Sequence, residues 1–164
     1  MISIPVLHLC SSLGMYGAEN VLLTLAKEMS SSVYQPIIGV FENSQNSHTE
    51  LALEAEKNNI QNVIFPCNGP FDFRTFFLIR NFIAKHKIPI IHSHGYKSNC
   101  YALMCSSFTS VRLITTCHNW TKTSKRLVVY SYADKYLLRK FDFIVTVSGD
   151  IFEMLLQKGI SEKK

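Results

Sequence analysis

The sequence lacks the features that mark secreted and membrane-spanning chains. No apolar run approaches the roughly 18 residues that a membrane-spanning helix needs, so none is predicted. Met1 to Cys10 has no basic segment followed by a long apolar stretch, and no secretory signal is predicted. The five cysteines form no CxxC pair, which favours free thiols in a reducing compartment. These absences indicate a cytoplasmic protein that is peripheral to a membrane at most.

Acidic residues are fewer than basic ones, with 12 Asp and Glu against 17 Lys and Arg and a net charge of +5. This moderate excess favours phosphorylated ligands or an anionic membrane surface as partners. Hydrophobic residues make up 47% and charged residues 18%, which is the composition of a globular protein. A chain of 164 residues is long enough for one domain and too short for two ordinary ones, so residues 1–164 are expected to form a single domain.

Short β-branched runs alternate with segments of helix length. Strands are predicted at Val6–Leu9, Ile37–Phe41, Asn62–Phe65, Pro89–His92, Arg112–Thr116 and Phe143–Val147. Helices are predicted at Ala18–Met29, Ser47–Asn58, Phe73–His86, Lys97–Ser106, Arg126–Lys140 and Asp150–Lys158. Because parallel strands need crossover connections, this alternation predicts an α/β fold: a Rossmann-like, doubly wound parallel sheet of about six strands with helices on both faces.

The segments that follow the predicted strands share small, hydroxyl, amide and imidazole side chains. They are Cys10–Gly14, Pro66–Gly69, Ser93–Gly95, Cys117–Asn119 and Ser148–Gly149. The carboxyl ends of parallel strands meet at one edge of an open α/β sheet, and ligands bind in the crevice outside that edge. The sequence therefore predicts a ligand site at this edge.

A glycine loop follows the first predicted strand and opens the first predicted helix. Gly14 and Gly17 let the backbone turn tightly and approach a ligand, while the N–H groups of the first helical turn face an anion there. The spacing is not GxGxxG and no Walker lysine follows, so neither a dinucleotide site nor a P-loop is supported. The alternative is that the two glycines only shape a strand-to-helix turn.

His118 follows the fifth predicted strand. Its imidazole can bond a sugar hydroxyl or a phosphate, or it can transfer a proton; a purely structural histidine is the alternative. Cys117 is adjacent on the strand and points to the opposite face, so a Cys–His nucleophilic pair is not expected.

His92 and His94 lie on one side of the fourth predicted strand if that strand continues to His94. A zinc site needs a third and a fourth ligand, and the sequence offers none at a usable spacing, so no metal is expected. His94 is nearer the loop and is the better candidate for the ligand crevice.

A basic segment interleaved with tyrosines follows His118. Its cations are Lys122, Lys125, Arg126, Lys135, Arg139 and Lys140. One interpretation is a solvated helix face, and the other is contact with anionic lipid headgroups or a lipid-pyrophosphate acceptor. No nucleic-acid-binding module accompanies the charge, so nucleic acid is not an expected partner.

Four segments in order carry a family resemblance: Gly14–Glu19, Ile91–Gly95, Thr115–Asn119 and Phe143–Ser148. Together they resemble the N-terminal domain of the family 4 glycosyltransferases, GT-B enzymes built from two facing Rossmann-like domains. The resemblance covers nearly the whole chain. It implies one half of a GT-B fold, with the strand order 3-2-1-4-5-6.

The resemblance also implies retaining transfer of a sugar from a nucleotide-sugar donor, with no metal or other cofactor. Carried over by motif, Gly14 and Gly17 approach the donor phosphates and His118 approaches the transferred sugar as the catalytic residue. The residues implied to bind the glycan or lipid-linked acceptor, as in cell-envelope polysaccharide synthesis, are Tyr16, His94, Gly95, Asn119 and Lys122.

Two departures from the family pattern affect these expectations. Met15 and Tyr16 separate the two glycines, whereas the family often has adjacent glycines, and Tyr16 is therefore placed toward the cleft. The chain also stops where the family's linker leads into its nucleotide-sugar-binding C-terminal domain. The chain alone is thus expected to be inert without that domain or a partner chain. The rival hypothesis is a non-catalytic glycan- or lipid-binding subunit that pairs with a catalytic chain.

Overall fold

The computed structural model describes residues 3–45, 47–118 and 137–161. The strands are β1 (Ile4–Cys10), β2 (Tyr34–Glu42), β3 (Gln61–Pro66), β4 (Ile90–His94), β5 (Arg112–Cys117) and β6 (Phe143–Thr146). The helices are α1 (Gly17–Met29), α2 (Glu50–Lys57), α3 (Phe73–His86), α4 (Tyr96–Ser106) and α5 (Gly149–Gln157). A short 3₁₀ helix occupies Leu138–Lys140.

The six strands form one sheet in the order β3-β2-β1-β4-β5-β6. All five neighbouring pairs are parallel. The order and direction confirm the predicted doubly wound sheet. Because the chain reverses its direction across the sheet between β3 and β4, the ends of β1 and β4 flank the switch point where such folds bind ligands.

The strand bounds differ from the predicted ones by at most three residues. The change that matters most for the site is in β4, which continues through His94 instead of ending at His92. The extension is stabilised from both sides, since His94 pairs with Cys10 of β1 and with Thr116 of β5. Because β4 continues to His94, His92 and His94 face the same side of the sheet.

Two hydrophobic clusters separate the faces of the sheet. Leu7 and Leu9 of β1 belong to a core that also contains buried residues of α3 and α4. Cys10 belongs to the other core, which contains the buried residues of α1 and α2. Successive residues of a strand therefore pack into opposite hydrophobic layers. This explains why these strands are apolar along nearly their whole length.

The ends of α3 and α5 are fixed by side chains that the sequence supplies. The Asp72 carboxylate accepts the backbone N–H of Arg74 at 2.8 Å and caps α3. The Ser148 hydroxyl accepts the N–H of Ile151 at 3.4 Å at the start of α5. Each bond satisfies a donor that the first helical turn leaves without a partner.

The predicted helix at Arg126–Lys140 lies mostly outside the described residues. Its last four residues are described, and three of them form the 3₁₀ helix at Leu138–Lys140. Among the helices of the described part of the chain, none is long and apolar enough to cross a membrane. None of the five cysteines, all of which are described, forms a disulfide.

Candidate functional site at the carboxyl edge of the sheet

The loop between β1 and α1 has a backbone that requires glycine at one position. Gly14 has a φ of +138°, and an added Cβ would lie 3.1 Å from the ring of Tyr16. The buried Ser12 hydroxyl fixes the turn by donating to the Gly14 carbonyl at 2.8 Å and accepting its N–H at 3.1 Å. The glycine is therefore structurally necessary, whatever the loop binds.

Gly17 plays a different part, because it is the first residue of α1 and its surroundings are open. A Cβ added there would meet nothing within 4 Å. The N–H of Tyr16, the N-cap residue, donates to the Glu19 carboxylate at 3.2 Å. The Tyr16 side chain itself is 65% exposed beside the loop. At Gly17 the positive end of the α1 dipole therefore faces solvent, and no described side chain obstructs the approach of an anion.

Three buried histidines lie beside this loop, on the face of the sheet that α1 covers. His8 of β1 is directly opposite His92 of β4, and alternation places His94 on the same face. The Nδ1 atom of His8 lies 3.4 Å from the Nε2 atom of His94. Nε2 of His92 lies 2.8 Å from the Thr116 hydroxyl. Sequence reasoning missed His8, which sits in an apolar strand.

His118, immediately after β5, extends the histidine cluster toward the edge of the sheet. Its ring centroid lies 6.1 Å from that of His94. Its Nε2 atom is buried and has no hydrogen-bond partner among the described residues, as is also true of Nδ1 of His94. Cys117 packs into the opposite core, which confirms that it and His118 face different sides of the sheet.

Burial keeps these imidazoles neutral at neutral pH. It lowers the pKa of His8 to about 3 and that of His92 to about 4, with a smaller contribution from neighbouring histidines. The pKa of His94 falls well below its ordinary value for the same reasons. The pKa of His118 is lowered by burial, while the Glu19 carboxylate acts in the opposite direction. Neutral rings each retain one lone pair for a proton or a hydroxyl group.

We expect the buried histidines to make folding stability depend on pH. The folded pKa values of His8 and His92 lie below the ordinary 6.5, so the unfolded chain binds more protons between that pH and the folded values. The contribution of neutral His8 and His92 to the free energy of unfolding is complete above about pH 6.5. It is lost as the pH falls, at up to about 1.4 kcal/mol per pH unit for each histidine. Urea midpoints measured from about pH 7 to about pH 5 should decline accordingly.

Two variants separate this effect from general acid sensitivity. His8→Leu removes one titrating group, so its unfolding free energy should fall less steeply with acid than that of the unmodified chain. Leu51→Ala, at a buried position of α2 with no titrating group, should lower the stability and leave the slope unchanged. Equal slopes for His8→Leu and the unmodified chain would show that His8 does not titrate as described.

The start of α4 is built by a second network at the same edge. Gly95 has a φ of +102°, a conformation that favours glycine, and precedes the first residue of α4. The Ser98 hydroxyl accepts the N–H of His94 at 3.1 Å and donates to the Gly95 carbonyl at 2.8 Å. On the other face, Ser93 donates to Asn99 at 2.6 Å. The backbone that carries His94 is therefore anchored to the first turn of α4 through Ser98 and Asn99.

The structure brings most of the predicted site residues to one edge. Gly14, Tyr16, Gly17, His94, Gly95 and His118 all lie at or next to the carboxyl ends of β1, β4 and β5. Asn119 and Lys122 lie outside the described residues. The histidines include a set that the sequence did not reveal: His8, His92 and His94 each offer a ligand atom within 4.8 Å of the others. The expectation that the His92/His94 pair lacks a third imidazole was therefore wrong.

The fold and the glycine loop together define a structural class. A six-stranded parallel sheet in this order, with a glycine loop at its carboxyl edge, forms one half of a GT-B fold. Residues 15–164 match Glycosyltransferase Family 4, and the chain belongs to that family. No curated protein matches it significantly.

Solved structures agree on the fold. Anabaena Alr3699/HepE in complex with UDP and glucose has a TM-score of 0.76 at 16% identity, over 96% of this chain and 42% of that one. A glycosyltransferase from Rickettsia africae ESF-5 has a TM-score of 0.75 at 21% identity, over 99% and 41%. Acinetobacter baumannii MurG has a TM-score of 0.61 at 11% identity, over 87% and 41%. The chain thus spans less than half the length of these proteins.

Proposed function

We propose that this chain is the acceptor-side half of a retaining glycosyltransferase that moves a sugar from a nucleotide-sugar donor to a glycan or lipid-linked acceptor. One observation carries the proposal: the open helix N-terminus at Gly17 lies at the same edge of the sheet as the His118 imidazole, whose Nε2 atom has no partner among the described residues. Membership of Glycosyltransferase Family 4 and the likeness to a protein that binds UDP and glucose support it.

The glycine loop would act on the leaving group. As the bond between the anomeric carbon and the diphosphate oxygen breaks, negative charge grows on that oxygen. The backbone N–H of Gly17 and the dipole of α1 would stabilise this charge without having to reorganise, while Gly14, whose N–H is bound to the Ser12 hydroxyl, would shape the loop that approaches it. Neither contribution requires a metal ion at the reacting atoms. We accordingly propose that transfer proceeds without one.

The histidines would act on the sugars. His118 would contact the transferred sugar through its Nε2 atom, for which the described part of the chain supplies no hydrogen-bond partner. Tyr16, His94 and Gly95 would line the acceptor side of the crevice, and we propose that Asn119 and Lys122 complete it. A neutral imidazole can accept a hydrogen bond from a sugar hydroxyl or take up its proton, which suits a group beside an attacking hydroxyl.

Nucleotide recognition would belong to a second domain. The chain spans about 42% of the length of Alr3699/HepE, and we propose that a nucleotide-binding domain faces the carboxyl edge described above. The chain by itself would then be inactive or nearly so. We further propose a cytoplasmic location, peripheral to the membrane, and a role in building cell-envelope polysaccharide.

The test is a screen of common nucleotide sugars for donor hydrolysis and transfer, made on a polypeptide that contains this chain and its second domain. A positive result is sugar released from or moved by one donor, undiminished after treatment with a metal chelator. Loss of activity on chelation, restored by a divalent ion, would contradict the metal-free proposal. Tight binding of glycan or lipid with no turnover of any donor would favour the rival, a non-catalytic subunit.

The two glycines give a matched pair of variants for the donor site. Gly17→Ala adds a methyl group that meets no atom of the described residues, so stability should not fall. The KM for the donor should instead rise roughly tenfold, because the methyl lies where the phosphates approach. Gly14→Ala should instead destabilise the chain, because its φ is positive and its Cβ meets the Tyr16 ring. Steady-state kinetics and urea unfolding separate the two effects. An unchanged donor KM in Gly17→Ala would show that the phosphates bind elsewhere.

A further inference from the structure

Charge is distributed very unevenly along this chain. Between Phe73 and Ala133 the sequence contains nine lysines and arginines and no aspartate or glutamate. Seven of the 12 acidic residues precede this stretch and five follow it. Helices α3 and α4 both fall within the stretch and both pack into the core on the same face of the sheet. The charged residues of α3 and α4 are thus all positive, whereas α5, which packs into the same core, carries Asp150 and Glu153.

Helix α3 exposes apolar side chains on the side turned away from its core. Its buried residues are Thr75, Phe76, Ile79 and Ile83. Phe73 is nevertheless 68% exposed, Phe77 52% and Leu78 46%. The exposed Arg74 and Lys85 flank them on the same helix. A surface helix normally carries its apolar residues on one stripe, so an additional exposed aromatic ridge indicates a contact outside the domain.

Phe108, just after α4, extends this ridge. It is 64% exposed, and its ring lies 5.8 Å from that of Phe76. The Arg80 guanidinium lies 5.8 Å from the Phe108 ring centroid. We call the surface formed by Phe73, Arg74, Phe77, Leu78, Lys85 and Phe108 the α3 face. It combines a wide aromatic surface with cations at its margin, and α3 alone is about 21 Å long.

The α3 face begins at the edge of the sheet that carries the candidate site. Phe71 and Phe73 pack edge to face at 4.9 Å, at the amino end of α3. Phe71 also stacks on Tyr101 of α4. Lys97, in the first turn of α4 after Gly95, donates to the Gly69 carbonyl at 3.0 Å. The loop that leads into the α3 face is therefore tied to the helix that starts at the acceptor side of the crevice.

We propose that the α3 face binds the surface of an anionic lipid bilayer, with the phenylalanines among the headgroups and the cations against lipid phosphates. The proposal rests on the proposed function, because it specifies how a lipid-linked acceptor would reach the crevice from the membrane. The chemistry is that of an interfacial helix, in which apolar burial and attraction to anionic lipid act together. A nucleic acid would use the charge and leave the exposed Leu78 and the aromatic ridge without a function. An acidic protein is the other occupant that the test must exclude.

The experiment is sedimentation of the purified chain with vesicles. One preparation contains phosphatidylcholine alone, and the other contains equal parts of phosphatidylcholine and phosphatidylglycerol. We expect binding to the anionic vesicles only, weakened by salt. The double substitution Phe73→Ser with Phe77→Ser should reduce binding at least about fivefold, and so should Arg74→Glu with Lys85→Glu. All four side chains are exposed, so the variants should remain folded by circular dichroism.

Matched controls lie on the opposite face of the sheet. Leu53→Ser on α2, where the side chain is 55% exposed, and Lys27→Glu on α1 should bind vesicles like the unmodified chain. The proposal is overturned if the unmodified chain does not bind anionic vesicles, or if the α3 variants bind as well as the controls. Because the vesicles hold neither donor nor acceptor, the result is independent of transfer. A chain that binds vesicles yet supports no transfer would reject the proposed function and leave the α3 face as a membrane surface.

Discussion

Replacing His118 with alanine should lower the kcat for sugar transfer by about a hundredfold or more in the two-domain enzyme that we propose. The imidazole is half-buried at the edge of the sheet, its Nε2 atom has no partner within the described residues, and burial favours the neutral ring. A group that bonds or exchanges a proton with a reacting sugar contributes on the order of 10²–10⁴ in rate. The measurement is steady-state transfer with a saturating donor.

Two further variants determine what His118 does. His118→Gln keeps a hydrogen-bonding side chain and removes proton exchange, so substantial activity in that variant would assign the residue to positioning a hydroxyl. His48→Ala, in the loop before α2, is the control and should leave kcat unchanged. Full activity in His118→Ala would remove the residue from the reaction altogether.

Replacing Tyr101 with alanine should destabilise the fold by about 3–5 kcal/mol, the range observed when large buried aromatic side chains are removed. Tyr101 of α4 is fully buried. Its ring stacks on Phe71 at 5.3 Å and packs on Phe41 of β2 at 5.0 Å. Its hydroxyl accepts the N–H of Asp72 at 2.7 Å and lies 3.2 Å from the Cys67 sulfur. One side chain therefore joins α4 to β2 and to the start of α3.

Urea unfolding of Tyr101→Ala, Tyr101→Phe and Tyr34→Ala separates the contribution of the buried ring from that of its hydroxyl group. Tyr101→Phe keeps the ring and leaves the Asp72 N–H without its acceptor, so it should lose only about 1–3 kcal/mol. Tyr34→Ala, at a side chain that is 41% exposed, should cost much less than Tyr101→Ala. If Tyr101→Phe were as unstable as Tyr101→Ala, the hydroxyl and not the ring packing would dominate the contribution of this residue.

The fold was largely predictable, because the strands show the near-continuous apolar runs of a sheet buried on both faces. The helix Phe73–His86 was predicted with its observed bounds, since Asp72 supplies a recognisable cap and the apolar residues recur at helical spacing. The end of β4 was predicted two residues early, at His92. Polar Ser93 and His94 resemble loop residues in a sequence, and only their pairing with strands on both sides keeps them extended.

The candidate site was predictable only in part. Gly14, Gly17, His94 and His118 were recognisable because each lies in a segment after a predicted strand. His8 was not, because its importance arises from its register with His92, and the register of two strands far apart in the chain is a tertiary property. The exposed aromatic surface of α3 was also missed. A periodic pattern identifies which residues a helix buries, whereas Phe73 and Phe77 stand out only once that buried side is known.

Because β1 lies in the middle of the sheet, the order in which the chain is synthesised leaves it without one partner strand for a time. This strand is translated before the other five, yet it pairs with β2 on one side and with β4 on the other. Since β4 begins only at Ile90, one edge of β1 lacks its partner for roughly 4–17 s of ribosomal elongation. During that interval the nascent chain displays an apolar strand with free backbone donors and acceptors, which is the type of segment that chaperones bind and that aggregates without them.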